Sequence, residues 1–156
     1  MSHAFVYTIF NLIKKSQKIY GVRLTFSPAA ADTIKAFFND TKTSPTDYDM
    51  IFTGDLGKIG TELLYELSEK DGIKLRGVHK DCGNMIFNAE TQDVHSGGSG
   101  CGCSASVLCA HILKKMQKGE LNNILFCATG ALMSPTSTQQ GESIPAIAHM
   151  LNIRCR

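Results

Sequence analysis

The stretch "DMIFTGDLGKIGTELLYELSEKDG", Asp49 to Gly72, changes period in its middle. Asp49 to Thr53 is a short apolar run with the look of a buried strand, and "GDLGKIG" follows it as a glycine turn. From Gly57 to about Lys70, Leu63, Leu64 and Leu67 recur at helical spacing, with Gly72 placed to stop the helix. Strand, glycine turn and helix in that order predict an α/β fold, a mixed sheet with helices packed on it.

Upstream, "SPAAADTIKAFFND" offers Ser27 as an N-cap, Pro28 at the first helical position, and Ile34, Phe37 and Phe38 on one side, so a helix is expected to end near Asn39. "DTKTSPTDYD" is a polar connection. Downstream, residues 73 to 104 carry little periodicity and many glycines, apart from "NMIFN" (Asn84 to Asn88), which suggests a short strand. A long irregular segment inside a compact domain is usually functional. Ala105, Leu108, Cys109, Ile112, Leu113 and Met116 form one apolar stripe of an amphipathic helix, with Lys114 and Lys118 outside it and Gly119 as its cap. Asn122 to Thr129 is a continuous apolar run, as expected of a central strand covered on both faces. A second glycine turn, "TGALMSP", follows, and "IPAIAHMLNIRC" alternates as a final strand.

The 156 residues fit one domain, and 43% hydrophobic with 19% charged residues is enough to build a core. Sixteen basic and 14 acidic residues are spread along the chain, so there is no basic patch of the kind nucleic acid requires. "AFVYTIFNLI", about ten residues, is too short to cross a bilayer. Lys14, Lys15 and Lys18 follow it and no small-residue cleavage site does, which speaks against a secretory signal and for a cytosolic chain. A cytosolic chain with such a core needs no disulfides for its six cysteines. Cys82, Cys109, Cys127 and Cys155 stand singly, and Cys109 and Cys127 read as small packed hydrophobes.

The densest chemistry lies in "HSGGSGCGCSASVL", His95 to Leu108. His95, Cys101 and Cys103, with Cys82 or Cys109 as a fourth, are zinc-type ligands, but C-x-C and H-x5-C are not the usual knuckle spacings. C-x-C also differs from the C-x-x-C redox motif. A cysteine at a helix start has a favoured thiolate, which makes Cys101 or Cys103 a candidate nucleophile. Gly97, Gly98, Gly100 and Gly102 could instead fan successive N–H groups toward a carboxylate or phosphate, or simply permit close packing of loop against sheet. Asp55 in "TGDLG" and Asp81 in "KDCG" sit where strand ends meet turns, where an aspartate orients a ligand or, more commonly, bonds local backbone. His79, His111 and His149 have nothing local to single them out.

From about Pro28 onward, "PAAADTIKAFF", "YDMIFTGDLGKIG", "KDCGNMIFNAETQDVHSGGSGCGCSASVL", "ILFCATGALMSP" and "GESIPAIAHM" stand in an order that resembles the stage V sporulation protein AD (SpoVAD) family. That family is thiolase-like, and the resemblance reaches only about the C-terminal half of its usual length. Residues 1–27 then form a divergent N-terminal segment and residues 28–156 the C-terminal half of a thiolase-like fold. A truncated or frameshifted gene product, or a shortened paralogue, would account for this. In condensing enzymes the element resembling "MIFTGDLGKIG" carries a catalytic histidine, where Gly54 and Asp55 stand here; the acyl-accepting cysteine belongs to the first half. "CATGALMS" is similar to the turn near the oxyanion region.

The resemblance implies a non-enzymatic role without a cofactor: binding of dipicolinic acid (pyridine-2,6-dicarboxylic acid), free or as its calcium chelate. The protein would be the soluble subunit of the SpoVA channel, peripheral at the inner membrane of the forespore and spore, acting in dipicolinate uptake and in release at germination. The other channel subunits are its implied partners. An acyl-transfer enzyme of the β-ketoacyl synthase III or thiolase type is the alternative. The ligand would be held by His95, Gly97, Gly98, Ser99, Gly100, Cys101, Asp55, Asp81, Thr129 and Gly130, with a wall near Leu132 and Met133. The missing half would cover one side of the sheet, so an exposed apolar surface is expected here, covered in a homodimer or by a separate first half.

Overall fold

The structure of the chain is a computed structural model and describes residues 3–7, 22–131, 136, 139–140 and 146–155. Five strands, β1 (His3–Tyr7), β2 (Met50–Thr53), β3 (His79–Asp81), β4 (Asn123–Ala131) and β5 (Ala146–Arg154), form one sheet in the order β1-β5-β4-β2-β3. β2 runs parallel to both β3 and β4, while β5 is antiparallel to β4 and to β1. The sheet is therefore mixed and the fold α/β, as the strand–turn–helix reading predicts.

Parallel neighbours need a crossover, and α2 (Gly57–Lys70) supplies it between β2 and β3. It ends as expected at Gly72, whose φ of +76° suits a residue without a side chain. Gly72 N–H donates to Glu69 O and Ile73 N–H to Ser68 O, which closes the last turn.

α1 (Val22–Thr41) and α2 cover one face of the sheet. Phe37 and Phe38 pack with Tyr48, and Ile34 and Leu64 meet Ile51, Leu125, Cys127 and Met150. The other face carries a second cluster in which Val107, Ile112 and Met116 lie on Phe52, Ile124 and Phe126. Side chains alternate across β4 as a period of two demands: Ile124 and Phe126 on one side, Leu125 and Cys127 on the other. Each fully buried aliphatic of these clusters contributes about 1.5–3 kcal/mol of transfer free energy. The expected bare sheet face is thus absent from the described residues: β4 is covered on both sides by this chain's own helices. Large apolar side chains are exposed instead at Ile59, Ile86, Phe87 and Ile147.

Four local readings need correction. α1 begins before Ser27, so Ser27 is not its N-cap and Pro28 lies inside the helix; the Ser27 hydroxyl is buried and donates to Gly60 O at 2.7 Å. This bond ties α1 to α2 beside Pro28, which removes one donor from the helix interior. "NMIFN" is not a strand. Its first two residues belong to the short helix α3 (Cys82–Met85), capped by Asp81, and the strand of this segment is β3, just before it.

The third correction concerns the helix after the glycine loop, which runs as α4 (Cys103–Val107), a π turn (Leu108–Ile112) and α5 (Leu113–Gln117). Its buried residues are Cys103, Val107, Ile112 and Met116, while Ala105 and Cys109, assigned to the apolar stripe, are exposed. The π turn adds one residue between Val107 and Ile112 and so moves the buried face out of the regular period. Gly119 does cap this segment, with Gly119 N–H to Met116 O and Glu120 N–H to Lys115 O. Fourth, β4 continues through Thr129 to Ala131, so the "TGALMSP" turn does not begin at Thr129.

Candidate functional site

The C-terminal ends of β2, β3 and β4 lie together, and each delivers a polar side chain there. Past β2, Gly54 passes so close to Thr129 that a Cβ would collide with the Thr129 hydroxyl, which explains glycine at this position. Asp55 Oδ1 accepts from Thr129 Oγ1 (3.2 Å), and Asp55 Oδ2 accepts from Ser99 Oγ (2.9 Å) and from Gly100 N–H (3.1 Å). Asp55 therefore ties β4 to the glycine loop.

Behind it lies Asp81, only 2% exposed, at the end of β3. Its carboxylate accepts from Leu56 N–H (2.9 Å), Gly57 N–H (2.9 Å), Asn84 N–H (3.2 Å) and Thr53 Oγ1 (2.7 Å). The first amides of α2, which would otherwise offer an anion site, are thus satisfied from within. Lys58 N–H is taken as well, by Ser96 O at 2.8 Å. Burial pushes the Asp81 carboxyl above its ordinary value, against the pull of its four donors. Thr53 Oγ1 also meets His79 Nε2 at 2.9 Å, and His79 Nδ1 meets the Tyr65 hydroxyl at 3.1 Å. Burial holds the His79 imidazole down, to about 4.

Three of the four glycine amides of the loop from Asp93 to Gly102 turn into the protein rather than outward. Gly97 N–H donates to Val94 O (2.8 Å), Gly98 N–H to Gly83 O (2.7 Å) and Gly100 N–H to Asp55. Gly83 and Gly98 touch backbone to backbone: a Cβ on Gly83 would stand 2.5 Å from Gly98 O and 3.2 Å from Asp55 Cα. Close packing of loop against α3, one of the two readings of these glycines, is what the hydrogen bonds satisfy. A cleft of about 570 Å³ nevertheless opens on the loop's outer side, lined by Phe87, Val94, His95, Ser96, Gly97, Gly98 and Ser99. A second hollow of about 260 Å³ lies between Ile86 and the π turn, with Val107, Ala110 and His111 in its wall.

Of the ten expected site residues, Asp55, Ser99, Gly100 and Thr129 form one hydrogen-bonded group, and Gly97 and Gly98 adjoin it through Gly83. Asp81 is buried behind the turn. His95, in a left-handed backbone conformation (φ +48°), is 89% exposed and lies 3.6 Å from Asp93 Oδ1. Cys101 is exposed, and Gly130 stands on β4 facing Ile147. Leu132 and Met133 lie outside the described residues. Gly83, Phe87, Thr53 and His79 were not singled out in the sequence. Only the two-residue spacing of His79 and Asp81, one face of a strand, could have pointed to the last.

The cysteines separate by environment. None forms a disulfide. Burial pushes the Cys82 and Cys127 thiols up to about 12, so neither is a thiolate at neutral pH. Cys127 is packed as expected, whereas Cys109 is exposed on the π turn, against the expectation. Among the described residues no three His, Cys, Asp or Glu side chains gather as a metal site, and no helix is long and apolar enough to cross a membrane.

The profile of the family described as stage V sporulation protein AD (SpoVAD) matches residues 15–154. The chain belongs to the SpoVAD family. Stage V sporulation protein AD of Bacillus subtilis (strain 168) is 48% identical over 123 residues, which are 79% of this chain and 36% of that relative. The chain thus spans about a third of the length of this SpoVAD protein. The profile match begins upstream of Pro28 and takes in the first turns of α1.

Proposed function

We propose that the chain serves in sporulation as a non-catalytic, dipicolinate-binding part of a SpoVAD-type subunit, working with the other SpoVA subunits at the inner spore membrane. The family membership supports the sporulation role. The observation that carries the ligand reading is the cleft on the glycine loop. Phe87, 43% exposed, offers a flat apolar face to a planar pyridine ring, and His95 and Ser96 bring hydrogen-bonding groups to its carboxylates. The Gly97, Gly98 and Gly100 amides are used internally, so recognition rests on side chains arranged by a fixed backbone. Asp55 and Asp81 hold that backbone and do not face the ligand. Acyl transfer is the weaker reading, because Gly54 and Asp55 stand where the resembling element of condensing enzymes carries its histidine.

Titration calorimetry of dipicolinate into the full chain, with and without calcium, tests this. The expected outcome is saturable binding, weakened about tenfold or more by His95→Ala or Phe87→Ala, since each removes a direct contact. Gly98→Val should act similarly, because its side chain would displace Ile86 and Phe87. No binding, or unchanged affinity in all three variants, would sink the proposal. A second copy or a separate first half is proposed to pack on exposed apolar side chains that the cleft does not use, Ile59 and Ile147, and sedimentation of the purified chain as a stable monomer would speak against self-association.

A further inference from the structure

The four polar groups behind the site fix one another's protons. A carboxylate has about four acceptor positions, and all four on Asp81 face donors: Thr53 Oγ1 and Leu56 N–H on Oδ1, Gly57 N–H and Asn84 N–H on Oδ2. Three of these four are backbone N–H groups, which can only donate, so the site is built for the carboxylate form of Asp81. Thr53 has a single hydroxyl hydrogen, and it points to Asp81. Thr53 Oγ1 can then only accept from His79, 2.9 Å away, which puts a hydrogen on Nε2. In a neutral ring Nδ1 is bare and takes the Tyr65 hydroxyl at 3.1 Å.

We infer that His79 is a positioning residue: as the neutral, Nε2-protonated imidazole it closes a one-directional chain, Tyr65 to His79 to Thr53 to Asp81, that holds the β2–α2 turn carrying Asp55. Asp81 grips Leu56 and Gly57 directly, and Thr53 orients Asp81. His79 in turn orients Thr53. The imidazole is closed in, 5% exposed, with the Tyr65 ring edge-on at 5.4 Å. Its titratable and charged surroundings are few. Tyr65 comes from α2, Asp81 from its own strand, and the Arg76 guanidinium sits over the far side of the Tyr65 ring, 4.5 Å from its centroid, paired with Glu62 at 2.7 Å. An imidazolium would point a second N–H at Tyr65 and force its hydroxyl to turn round. The low titration of His79, near 4, agrees with this geometry. A histidine that merely fills space would accept either tautomer.

The test uses the full chain, labelled with ¹⁵N at histidine, without ligand, so its failure is distinguishable from a failure of dipicolinate binding. At pH 7 the His79 nitrogens should show a protonated Nε2 and a bare Nδ1, unchanged down to pH 5. The opposite tautomer, or titration near the ordinary histidine value, would overturn the inference. Thr53→Val should raise amide exchange at Leu56 and Gly57 about tenfold or more, leaving Leu125 and Met150 in the sheet unchanged, because one link to a buried acceptor is lost. Thr53→Ser should restore it. No change at Leu56 and Gly57, or an equal rise throughout the sheet, would count against the role. If Thr53→Val does not fold, the wild-type tautomer still decides, and Tyr65→Phe, at a half-buried position, should move the Nδ1 resonance alone.

Discussion

Asp81 and the loop Asp93–Gly102 stand back to back at the end of the sheet and are built on opposite terms. Around Asp81 the donors come from β2, the start of α2 and α3, and those of Thr53, Leu56 and Gly57 are buried. The loop also bonds its own amides to protein, at Val94, Gly83 and Asp55, yet it turns His95 and Cys101 outward. Internal charge serves as framework, and the side chains free to meet a ligand, as proposed for His95, stand on the rim. An acidic residue beside a glycine loop is therefore no evidence of ligand contact: both aspartates named from the sequence hold backbone.

The sharpest way to break this contrast is Asp81→Ala. Three backbone amides and a hydroxyl would lose their acceptor, and unsatisfied buried donors are expensive, so a loss of about 3–5 kcal/mol is expected in urea unfolding. Next in size is acid. The folded His79 value of about 4 lies below the ordinary 6.5, so between these pH values the unfolded chain binds a proton that the native chain does not. This contribution is complete above about pH 6.5 and is lost as pH falls toward 4, by roughly 3 kcal/mol in all. Asp81, shifted upward, opposes it at the acid end. The measurement is therefore the pH profile of unfolding for wild type against His79→Gln, and the variant should show the flatter profile through this window.

Gly83→Ala probes the joint between framework and rim. Its Cβ would meet backbone at Gly98 and Asp55, which cannot yield as a flexible side chain does, and a loss of about 1–3 kcal/mol is expected by thermal unfolding. His95→Ala is the smallest change. At an exposed position it should stay within about 0.5 kcal/mol of wild type in stability while lowering dipicolinate affinity. A large stability effect there would erase the distinction between rim and framework.

What could be read in the sequence followed from local periodicity. β2, α2 with its stop at Gly72, β4 with two covered faces, and β5 each carry their pattern within a dozen residues or so. What could not be read depends on distant partners. Ser27 passes for a cap until Gly60, in another helix, is seen to accept its hydrogen bond. β3 is three residues long, too short for any alternation to show. At the site, "TGDLG" and "KDCG" marked the two aspartates correctly as strand-end residues, but which carboxylate is buried is decided by the amides at the start of α2. The glycines of the loop look alike in sequence, and only the approach of Gly83 to Gly98 tells packing from ligand capture.

The π turn bears on how the chain tolerates changes in length. Counting from Cys103, the core side chains Val107, Ile112 and Met116 are separated by steps of four, five and four residues. Removing exposed Ala110 would leave steps of four throughout, the spacing of an ordinary helix, with Val107, Ile112 and Met116 as the side chains that meet the sheet. The extra residue is thus surplus to the core. Its effect falls on the outer surface, where Ala110 and His111 wall the hollow beside Ile86 and Cys109 is exposed.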